Sequence, residues 1–164
     1  MRVGIGYDVH AFAPPEAGRP LLIGGVVVPH DRGLAGHSDA DVLLHAVVDA
    51  LLGAAGLGDI GQYFPSSEPR WKGAPSTTFL THTRDALAEG EWQVVNVDAT
   101  VVAEAPRLSP YIAAMRAHVA QALGLALDQV NVKSKTTDGL GFAGRSEGIA
   151  CYAVALLERT TARG

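Results

Sequence analysis

Two polar residues near the N-terminus are the first sign of chemistry. Asp8 and His10 stand two positions apart in GYDVHAF, among apolar neighbours. In a β-strand both side chains would lie on one face, while Val9 would lie on the other. With His45, two turns into a predicted helix, they give the ligand count of a catalytic zinc site, which leaves a fourth position open. An isolated Asp-x-His pair is weak evidence, so three unrelated polar residues stay as the alternative.

Two further clusters are suited to binding phosphate. His37 and Ser38 stand where a helix is predicted to start, and free N–H groups and the helix dipole favour anions there. Ser38 is equally a candidate N-cap. The segment KSKTTDGLGFAGRSEG (133–148) combines two lysines, two threonines and Asp138 with four glycines. Such a loop can cradle phosphate oxygens and hold Mg²⁺, and a flexible connection between strands is the plain alternative.

Composition limits the classes of function. The chain has 164 residues, 48% of them hydrophobic, and a net charge of −4, which argues against nucleic-acid binding through bulk electrostatics. The single cysteine, Cys151, excludes a disulfide within the chain, and its apolar neighbours indicate a buried, inert thiol. No apolar stretch approaches a membrane span and no leader precedes the first strand, so we expect a soluble, cytoplasmic protein without a membrane partner.

The first half of the chain must position the zinc candidates. We predict a strand over residues 2–12, then two short strands within 20–29 joined at Gly24-Gly25. A helix follows from about residue 39, with Ser38 as its N-cap and Asp41 three residues on, and it ends at Gly56. Residues 59–75 are rich in Gly, Pro and Ser and are predicted to form a long loop, which is usually functional or mobile.

The second half of the chain is predicted to supply the remaining helices and strands. We predict a helix over 76–89 ending at Gly90, a strand over 92–104, a helix from Pro110 to about Gly124 and a strand over 129–135. GIACYAVALLER is predicted to be the final strand, although periodicity alone does not exclude a helix. The fold class is α/β (α+β): one domain over 1–164, with a mixed sheet covered on one face by about three helices.

Four stretches, in order, resemble one family. They are GYDVHAF, GLAGHSDADVLLHAVVDALLGAAGLGDIG, EAPRL and KTTDGLGFAGRSEGIA. Together they span nearly the whole chain and resemble the 2-C-methyl-D-erythritol 2,4-cyclodiphosphate synthases. The resemblance implies a homotrimer with active sites between subunits, one Zn²⁺ per chain, and Mg²⁺ or Mn²⁺ arriving with a cytidine diphosphate-linked substrate.

The resemblance also assigns roles to residues. Asp8, His10 and His45 match the zinc ligands, and His37 and Thr136 match positions that stabilise the transition state. Positions 59 and 61 match those that hold the ribose, whereas 103–108 and 134–137 match a cytosine and diphosphate pocket supplied by a neighbouring subunit. The implied substrate contacts are Asp8, Val9, His10, His37, Ser38, Asp59, Ile60, Gly61, Phe64, Pro65, Ser66, Ser67, Glu68, Ala103, Glu104, Ala105, Pro106, Arg107, Leu108, Lys135, Thr136, Thr137, Asp138, Phe142 and Arg145.

The sequence departs from the family's pattern in three places. Residues 65–68 read Pro-Ser-Ser-Glu, where many members have Pro-Asp-Thr-Asp facing the erythritol moiety. Arg107 stands where many members have Lys, which keeps the charge but changes the hydrogen-bond geometry. Asp138 replaces the Glu that is the usual ligand of the second metal, so its reach is one methylene shorter.

The implied activity is a phosphoryl transfer within one substrate molecule, catalysed by a metal-dependent phosphorus–oxygen lyase of the non-mevalonate isoprenoid pathway. The 2-phosphate of 4-diphosphocytidyl-2-C-methyl-D-erythritol 2-phosphate attacks the β-phosphorus, which gives the cyclic diphosphate and CMP. No protein nucleophile is needed, in agreement with the lack of a convincing Ser-His-Asp or Cys-His set. A non-haem iron enzyme and a non-catalytic metal-binding or trimeric scaffold protein are the alternatives.

Overall fold

Strands and helices alternate largely as the sequence predicts. The computed structural model describes residues 1–160. The strands are β1 (Arg2–Ala11), β2 (Leu21–Ile23), β3 (Val26–Val28), β4 (Trp92–Val102), β5 (Val130–Lys135) and β6 (Gly148–Arg159). The helices are α1 (Val42–Ala55), α2 (Ile60–Tyr63), α3 (Ser76–Glu89), α4 (Ile112–Leu123) and α5 (Gly141–Gly144), of which α2 and α5 are single turns.

Four strands form the main sheet in the order β1-β6-β4-β5. β6 is antiparallel to both β1 and β4, and β5 runs parallel to β4, so the sheet is mixed. β2 and β3 form a separate two-stranded hairpin. Because β1 and β4 run in the same direction, both end beside the start of β6, where His10 pairs with Ile149 and Val102 with Ala150. One end of the sheet therefore gathers the polar segments that follow these strands.

Helix α1 packs on the sheet without side chains between it and part of β1. A methyl group on Gly6 would lie 2.7 Å from the backbone nitrogen of Ala50, and one on Gly4 would lie 2.9 Å from Cα of Ala54. Glycine at both positions lets the two backbones touch. Asp8 and His10 continue the same face of β1, so they are carried directly to the helix.

Helix α1 is buried along almost its whole length. All but two of its 14 residues, Asp49 and Gly53, are buried. A helix that is apolar all round is stable only inside a core, and α1 lies between the sheet and α3. His45 is therefore held on a rigid element.

On the opposite face of the sheet, β1 and β6 present exposed apolar side chains. Val3 and Ile5 on β1 are 68% and 70% exposed, and Tyr152 and Val154 on β6 are 48% and 42% exposed. The rings of Tyr7 and Tyr152 pack against each other across the two strands, with centroids 4.8 Å apart. Contiguous exposed apolar surface of this kind is typical of interaction sites.

The start of α1 differs from the prediction. Its N-cap is Asp41 and not Ser38, and the first helical residue is Val42. Ala40 has a φ of 59°, a left-handed conformation that interrupts any helix starting at Ser38. The Asp41 carboxylate accepts the N–H of Leu44 at 3.1 Å, as an N-cap does.

Asp41 also ties α1 to the hairpin. Its two oxygens accept the N–H groups of Gly24 at 2.8 Å and Gly25 at 2.7 Å, in the β2–β3 turn. Burial raises the pKa of this carboxyl group, against the effect of these hydrogen bonds and that from Leu44. The hairpin and the helix that carries His45 are thus joined through one buried side chain.

Other predictions are confirmed or refined. The prediction of a loop over 59–75 is wrong in part, because this segment contains α2 and a 3₁₀ turn at Pro69–Trp71. Pro110 lies in a 3₁₀ turn, Ser109–Tyr111, that precedes α4. The last segment is a strand as predicted, and burial strongly raises the pKa of the Cys151 thiol, as expected for an inert cysteine. No helix within residues 1–160 is long and apolar enough to cross a membrane.

Candidate active site

Three predicted ligands meet at the end of β1. Oδ2 of Asp8 lies 2.9 Å from Nε2 of His10 and 3.0 Å from Nδ1 of His45. The two imidazole nitrogens are 3.1 Å apart. Asp8 and His10 come from β1 and His45 from α1, as the alternation of the strand and the predicted helix required. The structure thus contains a compact two-histidine, one-carboxylate group able to hold a metal ion.

The chemistry of these donors fits a cation. Nδ1 of His10 lies 2.7 Å from the carbonyl oxygen of Ala35, which can only accept, so the imidazole proton sits on this nitrogen. In the neutral ring Nε2 then presents a lone pair toward the Asp8 carboxylate. Lone pairs that converge in this way repel one another unless a cation lies between them, and an outer hydrogen bond of this kind is typical of histidines that bind metals.

The charges of the group are coupled. Burial alone would raise the pKa of Asp8, but hydrogen bonds and charge interactions with the protonated forms of His10 and His45 hold it well below its usual range. Burial also opposes charging of His10, whereas the adjacent carboxylate outweighs it and raises the pKa of His10. In the metal-free protein the carboxylate therefore stays ionised near neutral pH, and an incoming metal ion competes with a proton for His10.

A cavity of about 200 Å³ opens beside the metal group. One side is polar and the other is a wall of aromatic rings. Its lining residues are His10, His37, Ser38, His45, Ile60, Gly61, Phe64, Ser66, Trp71 and Phe79. Six predicted substrate contacts outside the metal group, at 37, 38, 60, 61, 64 and 66, are therefore brought together here. The cavity suits a small polar group held next to a metal ion.

The ribose-binding candidates are tied to the same helix as His45. Asp49, one turn further along α1, accepts the N–H of Ile60 at 2.8 Å. Asp59 caps α2 by accepting the N–H of Gln62 at 2.9 Å. The contact between Asp49 and Ile60 thus fixes the segment 59–61 relative to the metal group. This contact was not predicted from the sequence.

A second cavity, of about 290 Å³, lies at the ends of β4 and β5. It gathers most of the predicted cytosine and diphosphate pocket and adds Ser109. Its lining residues are Ala103, Glu104, Pro106, Arg107, Leu108, Ser109, Ser134, Lys135 and Thr136. It shares no lining residue with the first cavity. One chain therefore carries two separate parts of the predicted site.

The phosphate loop after β5 holds its own shape. Asp138 has a φ of 52° and its Oδ1 accepts a hydrogen bond from the Thr136 hydroxyl at 3.3 Å. The Thr137 hydroxyl donates to the carbonyl of Leu140 at 2.6 Å, and its N–H faces Glu104 at 3.4 Å. The Asp138 side chain is exposed and lies outside the metal group of Asp8.

Several predicted contacts line neither cavity. Val9 points to the open face of the sheet, where it is 42% exposed, and its side chain therefore points away from Asp8 and His10. Glu68 forms an ion pair with Arg70, and Arg145 bonds to Glu147 at 2.7 Å. The predicted substrate contacts that line neither cavity are Asp8, Val9, Asp59, Pro65, Ser67, Glu68, Ala105, Thr137, Asp138, Phe142 and Arg145.

Sequence reasoning missed four residues at the site. Trp71 and Phe79 form the aromatic wall, with centroids 5.5 Å apart, and Phe79 packs against His45. Ser76 and Asp39 lie behind His45 on the side away from the metal group. In the sequence Phe79 has the spacing of a core residue and Ser76 that of a helix start, so neither pattern indicated a role in the site.

Comparison with known proteins identifies the family of the chain. The model of the YgbB family matches residues 1–158. The 2-C-methyl-D-erythritol 2,4-cyclodiphosphate synthase of Thiobacillus denitrificans is 58% identical over 159 residues, which cover 97% of this chain and 98% of that protein. The Plasmodium falciparum IspF–CDP complex has a TM-score of 0.85 at 32% identity and covers 98% of this chain and 97% of that one.

A bifunctional protein also contains this fold. The structure of bifunctional IspDF from Campylobacter jejuni matches with a TM-score of 0.92 and 41% identity, covering 97% of this chain and 42% of that one. The full-length matches place the chain within one group of enzymes. The chain belongs to the YgbB family, among the 2-C-methyl-D-erythritol 2,4-cyclodiphosphate synthases, which are lyases of isoprenoid biosynthesis.

Proposed function

We propose that the cavity beside Asp8, His10 and His45 is where the cyclisation takes place. An oxygen of the substrate's 2-phosphate forms a bond to the β-phosphorus, and the bond from that phosphorus to the bridging oxygen breaks. CMP leaves with the electron pair. The observation that carries this proposal is the convergence of three metal-binding atoms beside a cavity that also contains His37 and Ser38.

We assign the metal at this group as zinc. Oδ2 of Asp8, Nε2 of His10 and Nδ1 of His45 would hold it, and these are the ligand types of a catalytic zinc site with one position open. When bound, the ion would supply positive charge to a phosphate oxygen. The lone-pair arrangement described above supports this assignment.

The chain's own residues bind and orient the substrate. His37 and Ser38 offer an imidazole and a hydroxyl to phosphate oxygens in the cavity. Asp59, fixed at the start of α2, holds the ribose, as the CDP complex of the Plasmodium falciparum relative encourages us to propose. The rings of Phe64 and Phe79 exclude water from one side. Positioning and charge stabilisation of this kind account for most catalysis of phosphoryl transfer.

The rest of the site comes from a neighbouring subunit in a homotrimer. Within one chain the second cavity, with Lys135 and Thr136, is separate from the metal group. Assembly would bring Thr136 of one subunit to the phosphates held by the next, with Asp138 as ligand of Mg²⁺ or Mn²⁺. The open apolar face around Ile5 and Val154 supports such an assembly.

The remaining parts of the proposal concern the whole chain. Residues 1–164 act as one cyclodiphosphate synthase domain. The enzyme works in the cytoplasm. Its single cysteine is buried and forms no disulfide, as is typical of proteins in a reducing compartment. We assign it no nucleic-acid or membrane partner.

The test is a turnover assay with the purified protein. With the diphosphocytidyl substrate, zinc and magnesium, it should release CMP and form the cyclic diphosphate, detected by chromatography and phosphorus NMR. His37→Ala should lower this rate at least about 100-fold, while His118→Ala, an exposed histidine on α4, serves as the matched control. Release of CMP by His37→Ala at the parent rate would contradict the assigned role. Light scattering should give the mass of three chains.

A further inference from the structure

A line of polar groups runs from His45 away from the metal group. The outer nitrogen of His45, Nε2, lies 2.7 Å from Oγ of Ser76. This hydroxyl is hydrogen bonded to Oδ1 of Asp39, whose other oxygen accepts the Ser76 N–H at 2.9 Å. Ser76 is fully buried, and His45 is only 8% exposed. The order carboxylate, hydroxyl, imidazole is therefore fixed by packing.

The direction of each hydrogen bond follows from what each group can donate. The Asp39 carboxylate only accepts, so the hydroxyl proton of Ser76 points to it. Ser76 then has only lone pairs to offer His45, and Nε2 must carry the proton in this bond. A neutral imidazole has a single N–H. Nδ1 of His45 is thus left with its lone pair facing Asp8 and His10.

We infer that Ser76, oriented by Asp39, is a positioning residue that sets His45 in the tautomer a metal ion requires. The inference deepens the proposed function, because it rests on the metal site described there. His10 reaches the same state more simply, through the carbonyl of Ala35 at 2.7 Å. Loss of an outer partner of a histidine ligand typically weakens metal binding about 10–100-fold.

The nearby Ser38 has a different task. Its Oγ lies 3.2 Å from the same nitrogen of His45, longer than the 2.7 Å to Ser76, and it accepts the N–H of Ala40 at 3.3 Å. Because Ser76 accepts the hydrogen bond from Nε2–H of His45, the hydroxyl proton of Ser38 stays available to donate to a phosphate oxygen in the cavity. Two serines that approach one nitrogen therefore divide into a positioning residue and a substrate contact.

The experiment uses the purified zinc-free protein labelled with ¹⁵N at histidine. Long-range ¹H–¹⁵N spectra report which nitrogen of His45 carries the proton, and competition with a zinc-binding dye gives the zinc affinity. In the parent protein His45 should be protonated at Nε2. Ser76→Ala should give a mixture of tautomers and bind zinc about 10–100-fold more weakly. Thr77→Ala, an exposed change in the same helical turn, is the control.

A second variant keeps the test decisive if Ser76→Ala does not fold. Asp39→Asn can still accept the Ser76 N–H, but its amide can also donate, which frees the serine proton to turn toward His45. It should show the same mixture of tautomers. The inference is overturned if His45 keeps its proton on Nε2 in the folded variants and zinc affinity stays within about threefold of the control. Absence of zinc binding by the parent would instead refute the proposed metal site, and the tautomer of His45 would still be readable.

Discussion

The contact between β1 and α1 should control metal affinity from a distance, and Gly6→Ala tests this. Gly6 is not itself one of the predicted metal ligands, but its added methyl group would lie 2.7 Å from the nitrogen of Ala50, where ordinary contact begins at 3.4 Å. The carbonyl of Ala46 lies closer still. Both obstacles are backbone, so the strand and the helix must separate by roughly 0.7 Å or more.

The expected cost follows from that separation. Overpacking of a core by one methyl group destabilises by about 1–3 kcal/mol. Asp8 and His10 move with the strand while His45 moves with the helix, and a functional site tolerates displacements of only about 0.5 Å. We therefore expect Gly6→Ala to lower zinc affinity at least about tenfold, in addition to its effect on the free energy of unfolding.

A matched variant separates this effect from the general cost of changing a glycine. Gly53 lies on α1, is exposed, and an added methyl group would meet only the carbonyl of Ile5, at 4.0 Å. Gly53→Ala should stabilise by about 0.5–1 kcal/mol because alanine is the better helix former. Urea unfolding of the zinc-free proteins and zinc titration measure both quantities. A Gly6→Ala protein with the parent's unfolding midpoint and zinc affinity would refute this reasoning.

Three further outcomes are expected. Zinc affinity should fall as the pH drops through the raised pKa of His10, because below that pKa zinc must displace a proton from the imidazole. Calorimetry that shows constant zinc affinity from pH 5.5 to 8 would contradict this. Asp138→Asn should keep zinc binding but lose most turnover at limiting magnesium, while Asp138→Glu should retain activity. If the asparagine variant turns over like the parent, Asp138 is not a ligand of the second metal. Asp41→Asn should destabilise by about 1–3 kcal/mol in urea, because one oxygen that accepts from Gly24 or Gly25 becomes a donor, and an unchanged midpoint would show that these bonds contribute little.

Local signals made much of the fold predictable. Helix α3 has the predicted bounds because Pro75 and Gly90 delimit it on either side. The alternation of β1 placed Asp8 and His10 on one face without any knowledge of the neighbouring strands. The metal group followed once His45 was placed on a helix that packs against that face.

The features that the sequence did not predict have a common physical cause. The N-cap of α1 is Asp41 because its carboxylate also meets the N–H groups of a turn 16 and 17 residues earlier, which no local pattern records. Ser76 stands 31 residues from His45 and 37 from Asp39 along the chain. Hydrogen-bond partners of buried polar groups are chosen by the tertiary structure, so a sequence shows the group but not the partner.

The two faces of β1 connect chemistry with assembly. Even-numbered residues from Gly4 to His10 face α1, where the two glycines allow close packing and Asp8 and His10 belong to the group that could hold a metal ion. Odd-numbered residues from Val3 to Val9 form the open apolar face, where the proposed trimer would bury them. A single strand with a period of two thus serves both surfaces. A shift of one residue in its pairing with β6 would expose Asp8 and His10 and bury apolar side chains against α1, so the proposed assembly and the proposed metal binding depend on the same register.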